Sequence, residues 1–146
     1  VDHTLLMQSG DWVAKGVYTD ASGSRVYVEG ASKYVHHGNV WLNESWMRLQ
    51  MPSGQVELRN DYEIVPFAEG RDWTNWASKN PDIGLLRGRF MVADDAILSE
   101  YVSEDGAYSG CESFFRESDT LYRNAGFCFR AGEKLSSWTV KLSKLG

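Results

Sequence analysis

Glu112 is the residue whose type and neighbours most invite chemistry. With the two-residue period of a β-strand it shares a face with Tyr108, Gly110 and Phe114. Turned into a closed sheet, that carboxyl would be desolvated, its pKa would rise, and it could act as a general acid or base. Glu44 and Arg48 pose a similar choice on another strand, where they share a face with Leu42 and Trp46. Facing inward, the pair would meet the polar end of a ligand, and the Arg48 guanidinium would hold a carboxylate at two points. Facing outward, it is a solvated pair with no chemical role.

Tyr34, Tyr62, Tyr101 and Tyr122 lie on faces that also carry Val28, Ile64, Ile97 or Cys128. Buried phenols need hydrogen-bond partners. Together with Asn60 and Ser99 they describe a cavity that is aromatic but not dry, and Trp46, Trp76 and Phe90 add rings to its wall. Such a lining suits a ligand with a ring and a polar group better than a plain alkyl chain. Packed on one another, the same side chains would be ordinary core.

The histidines are His3, His36 and His37. Adjacent strand residues point to opposite faces, so only one of the last two can enter a barrel, whereas a metal needs three or four converging ligands. No metal site is expected; His37 reads as a turn residue and His36 as a polar group of the cavity or its rim. Cys111 and Cys128 flank a turn at Ser118-Asp119. A two-residue loop there sets Cys111 against Gly126, with Cys128 one diagonal step away on the same face. A disulfide is then geometrically conceivable, while buried free thiols are the commoner use of two such residues. Neither Cys lies in a pattern that marks a nucleophile.

These candidates need strands to hold them. Alternating segments fall at about 10–19, 24–36, 40–51, 55–67, 72–79, 85–93, 96–103, 107–117, 121–130 and 134–144, each bounded by Gly, Asp, Asn or Pro. Alternation is cleanest in the fourth, where Glu57, Arg59, Asp61 and Glu63 oppose Val56, Leu58, Asn60, Tyr62 and Ile64. The third segment is mixed on both faces. No helical pattern of ten residues occurs. The expected architecture is one all-β domain over 1–146, an up-and-down antiparallel barrel of about ten strands, because closure removes exposed edges. Residues 1–9, with Leu5, Leu6 and Met7, form a short helical turn or an arm across one end. An open two-sheet sandwich is the alternative.

Composition narrows the partners. There are 15 Lys and Arg against 20 Asp and Glu, a net charge of −5, which argues against nucleic acid and anionic membranes. No apolar run approaches the ~20 residues of a spanning helix, so no membrane span is expected. The cytoplasm is the expected compartment, although a first residue of Val1 leaves export open. Monomer and dimer are equally compatible with the sequence.

The first strand carries a further pattern: Leu5-Leu6, then Gly10-x-Trp12-x-x-x-Gly16. It resembles the start of the calycin superfamily, which includes lipocalins, fatty-acid-binding proteins and nitrobindin-like barrels. Lipocalins begin their first strand with Gly-x-Trp. Nitrobindin-like barrels carry Gly-x-Trp-x-Gly-x-Gly, and here Ala14 replaces the middle Gly. The resemblance implies a cup for a small apolar or amphipathic molecule. Lipocalins often set an Arg late in the chain over that Trp, where this chain has Lys141 and Lys144. Nitrobindin-like barrels hold haem through a His near the C-terminal end, which this chain lacks, so neither haem nor any other cofactor is expected.

The function expected is binding of a small hydrophobic or amphipathic molecule, with a ring, inside the barrel and without reaction. The rival is a decarboxylase, cyclase or isomerase acting on a hydrophobic acid. Glu112 would then be the general acid or base, Arg48 would hold the substrate carboxylate, and Tyr62 or Tyr101 would donate hydrogen bonds. That rival needs both Arg48 and Glu112 on the inner wall, which commits Trp46 and Phe114 to it as well.

Overall fold

The computed structural model describes residues 1–146. Its strands are β1 (Gly10–Thr19), β2 (Arg25–His37), β3 (Val40–Met51), β4 (Gly54–Ile64), β5 (Trp73–Asn80), β6 (Gly84–Ala93), β7 (Ala96–Ser103), β8 (Tyr108–Ser118), β9 (Leu121–Arg130) and β10 (Glu133–Lys144). Each pairs antiparallel with the next, and β10 pairs back on β1, with Gly16 opposite Val140. That closing pair settles the barrel against the sandwich. No helix forms; residues 5–7 make only a turn.

Alternation decides most faces. In β4 the side chains of Glu57, Arg59, Asp61 and Glu63 face water, while Ile64 is fully buried. Short turns join the strands. At the β7–β8 turn, Asp105 Oδ1 accepts hydrogen bonds from Ser103 Oγ at 2.6 Å and from the Ala107 backbone N–H at 3.0 Å. Gly106 supplies the positive φ of 77° that this hairpin requires. The fourth strand ends earlier than its alternation suggests. Pro66 has no N–H to donate to a ladder, so the chain leaves the sheet after Ile64. Phe67 then folds back towards Trp41, with ring centroids 6.0 Å apart.

One end of the barrel is plugged. Trp12 is wholly buried and meets the Tyr122 ring edge-on at 5.5 Å. The N-terminal arm lies over them, with Leu5 and Leu6 buried; burying two leucines contributes about 2–3 kcal/mol each. Polar pins hold the arm in place. His3 Nε2 donates to the Asp94 carbonyl at 2.7 Å while Nδ1 accepts from the Tyr122 hydroxyl at 2.7 Å. His36 Nε2 donates to the Leu6 carbonyl at 2.8 Å, and its ring stacks on Trp41 at 3.8 Å. A carbonyl only accepts, so each imidazole carries its proton on Nε2. At Gly16 the strands β1 and β10 approach so closely that a Cβ would strike the Thr139 carbonyl.

Candidate functional site: the barrel lumen

Between the plug and the opposite end lies a cavity of about 290 Å³. Its lining comes from all ten strands and reaches Asn80, Asp82 and Ile83 at the β5–β6 turn. Asn80 Oδ1 shapes that turn by accepting from the backbone N–H groups of Asp82 (2.8 Å) and Ile83 (3.1 Å).

Three inward glycines explain why so many rings leave space between them. Trp76 stands directly across from Gly88, Tyr101 across from Gly110, and Trp138 across from Gly126. A Cβ on any of these glycines would collide with the ring of its partner. Each ring therefore lies flat over bare backbone instead of projecting inward, a pairing that also shields the glycine strand. Trp76 anchors the aromatic wall, with Tyr62 at 5.0 Å and Phe90 and Tyr101 each at 6.0 Å.

The polar groups form two clusters on facing walls. On β2 and β3, Asn43 Nδ2 donates to Ser32 Oγ (2.7 Å), Ser45 Oγ donates to Asn43 Oδ1 (3.0 Å), and the two hydroxyls meet at 2.9 Å. On β8 to β10, Asn124 Nδ2 donates to Glu112 Oε1 at 2.9 Å and to the Ser113 carbonyl at 3.0 Å. Trp138 Nε1 donates to Asn124 Oδ1 at 3.1 Å. Trp76 Nε1 is satisfied by Ser99 Oγ at 3.1 Å.

Burial pushes the Glu112 carboxyl up from the ordinary 4.5 to about 7, against the opposing pull of Asn124 and Trp138. Burial also raises the phenols of Tyr34, Tyr62 and Tyr101, with the nearby Glu112 charge adding to it, so all three stay neutral. Both thiols are raised by burial and neither is an activated nucleophile.

Of the residues singled out from the sequence, Tyr34, Tyr62, Trp76, Phe90, Ser99, Tyr101 and Glu112 line this cavity. Glu44 and Arg48 do not line it. With Trp46, which borders the space, they alternate with the inward Asn43, Ser45 and Met47 and so sit on the outer face of β3. Arg48 lies over the Trp46 ring at 4.3 Å, with Glu57 of β4 at 3.7 Å. The assignment of Arg48 as a carboxylate clamp is thereby overturned. His36 and Tyr122 point inward but are consumed by the plug.

The cysteines are free and face opposite ways. A bulge between Arg116 and Ser118 slides the β8–β9 register by one residue, so Cys111 pairs with Phe127 and Cys128 with Gly110. The one-residue slip reverses the facing that a regular loop gives. Asn43, Asn124 and Trp138 were missed from the sequence. Trp138 had a signal, since it alternates with Val140 and Leu142; the two asparagines had none, being polar residues in strand centres.

A larger concavity of about 1030 Å³ lies on the outer wall, flanked by Val17, Met91, Leu98 and Phe127. Its charged lining comprises Arg25, Arg89, Glu100 and Glu112, of which Arg89 and Glu100 pair with each other. The lumen is the candidate site, because aromatic rings and hydrogen-bonded polar groups converge there.

No family model matches this chain, and no curated protein sequence is similar to it. Solved structures do share its shape. The S-type phycobiliprotein lyase CPES from Guillardia theta superposes with a TM-score of 0.67 at 6% identity, covering 96% of this chain and 89% of that one. The Neisserial surface protein NspA covers 92% of this chain at 9% identity, but with a TM-score of 0.40 it carries no argument. The first likeness and the closed meander agree on the fold, a closed ten-stranded antiparallel barrel. No helix is long and apolar enough to cross a membrane. The outer faces of β3 and β4 carry Glu44, Arg48 and the β4 charges, unlike the apolar band of a lipid-facing barrel.

Proposed function

We propose that this protein binds a small, ring-bearing amphipathic molecule in the lumen, and that its kinship is with the ligand-carrying calycins. The observation that carries the reading is the 290 Å³ space inside the barrel, with one aromatic wall and one hydrogen-bonded carboxyl. That volume lies at the lower limit of small-molecule pockets, about 300–1,000 Å³, which suits one or two rings. Tyr62, Trp76, Phe90 and Tyr101 supply the wall, and Glu112 with Asn124 the polar anchor. Reaction chemistry has thinner support: Glu112 can move a proton near neutral pH, but the one lumen thiol, Cys128, is not activated and no basic side chain lines the space.

The test is native mass spectrometry of the full chain after incubation with a metabolite extract. It is paired with a variant, Ser99→Phe, that fills the cavity. A small molecule retained by the parent and lost by the variant is expected. Equal retention by both, or none by either, refutes the lumen as the site.

A further inference from the structure

The charge inventory of the lumen is one-sided. Its lining includes two carboxyl groups, Glu112 deep inside and Asp82 at the mouth, and no Lys, Arg or His side chain. The tyrosines add no charge. A ligand carboxylate entering this space would lose its hydration, face Glu112, and find no cation to compensate. A cationic ligand meets the opposite conditions at every step.

The hydrogen bonding around Glu112 also has a direction. Both polar ends of Asn124 are committed, its Nδ2 to Glu112 and Ser113 and its Oδ1 to Trp138. The amide is thus locked with its N–H towards Glu112 Oε1. Trp138 also pulls on the carboxyl, and two donors leave a carboxylate with acceptor capacity to spare for a ligand. The aromatic wall of Trp76, Tyr62 and Tyr101 lines the same lumen, and ring faces attract positive charge through their quadrupoles.

We infer that the lumen selects a small aromatic nitrogen base in its protonated form over the corresponding acid, the ligand N–H donating to the Glu112 carboxylate while its ring lies against the Trp76 wall. This rests on the lumen being a binding site, and it reverses the preference for a hydrophobic acid that an inward Arg48 would have produced.

Three probes of one shape separate the cases: naphthylmethylamine, naphthylmethanol and naphthoate, titrated calorimetrically into the full chain at about pH 8. A charge-assisted hydrogen bond is worth about 1.5–3 kcal/mol, which is about tenfold or more in affinity. The amine is therefore expected to bind at least about tenfold tighter than the alcohol, with naphthoate weakest. Glu112→Gln should bring amine and alcohol to parity and leave the alcohol unchanged. Equal binding of amine and alcohol by the parent, or naphthoate as the tightest, overturns this inference and leaves the lumen as a binding site. Binding of none of the three removes both. The ranking on the parent chain decides the matter even if Glu112→Gln does not fold.

Discussion

Replacing Glu112 with Gln makes the cost of a desolvated carboxylate measurable without any ligand. The carboxyl has an ordinary value of 4.5 and lies at about 7 in the folded chain, with burial as the leading cause. That displacement corresponds to about 3 kcal/mol of folding free energy. The sign follows from a raised folded-state value. Below the unfolded pKa the carboxyl is neutral in both states and the stability it contributes is fully present. As pH rises through about 7, the folded chain must hold a charge in the lumen and that stability is lost. Gln is neutral throughout and can still accept from Asn124 through its amide oxygen. Urea unfolding followed by tryptophan fluorescence, for parent and variant at pH values from about 4 to 8, gives the difference directly, and the other titrating groups cancel in it. The variant should match the parent at the acid end and exceed it by up to about 3 kcal/mol at the basic end, a large share of the 5–15 kcal/mol typical of a domain. A difference that stays flat with pH would show that Glu112 is solvated and would refute the reasoning.

Three further outcomes follow from the geometry. Gly126→Ala places a methyl inside the Trp138 ring, so the ring must swing into the lumen; the expected cost is about 1–3 kcal/mol, with weakened probe binding and altered near-ultraviolet dichroism of tryptophan. Leu6→Ala empties a fully packed position of the plug and should lower stability by about 2–5 kcal/mol in chemical denaturation; a loss under about 1 kcal/mol would mean that the arm is not part of the core. Arg48→Ala removes an outer-wall contact whose partners are about two-fifths exposed, so stability should change by less than about 1 kcal/mol and lumen affinity not at all. A drop in affinity would return Arg48 to the site.

The alternation in β4, the turn residues and the lack of any helical period were enough to specify an antiparallel meander of about ten strands, because side-chain period and turn chemistry are local properties. Which face of β3 looks inward was not. Its inner face mixes Asn43 and Ser45 with Met47 and Leu49, and its outer face mixes Leu42 and Trp46 with Glu44 and Arg48, so polarity does not choose between them. Only the pairing of β3 with β2 and β4 resolves the choice, and it sends Arg48 to solvent and reverses the charge of the lumen. The cysteines turn on a bulge at the end of β8 that no turn signal announced. His36 reads from the sequence as a polar group of the cavity or its rim, and nothing local reveals that the Leu6 carbonyl will come to meet it from the arm. Glu112 was visible as a candidate, but its environment was not. Its partners, Asn124 and Trp138, arrive from β9 and β10 through the cross-strand register. A carboxyl's pKa is set by what surrounds it in space, and that neighbourhood exists only after non-local strands have closed the barrel.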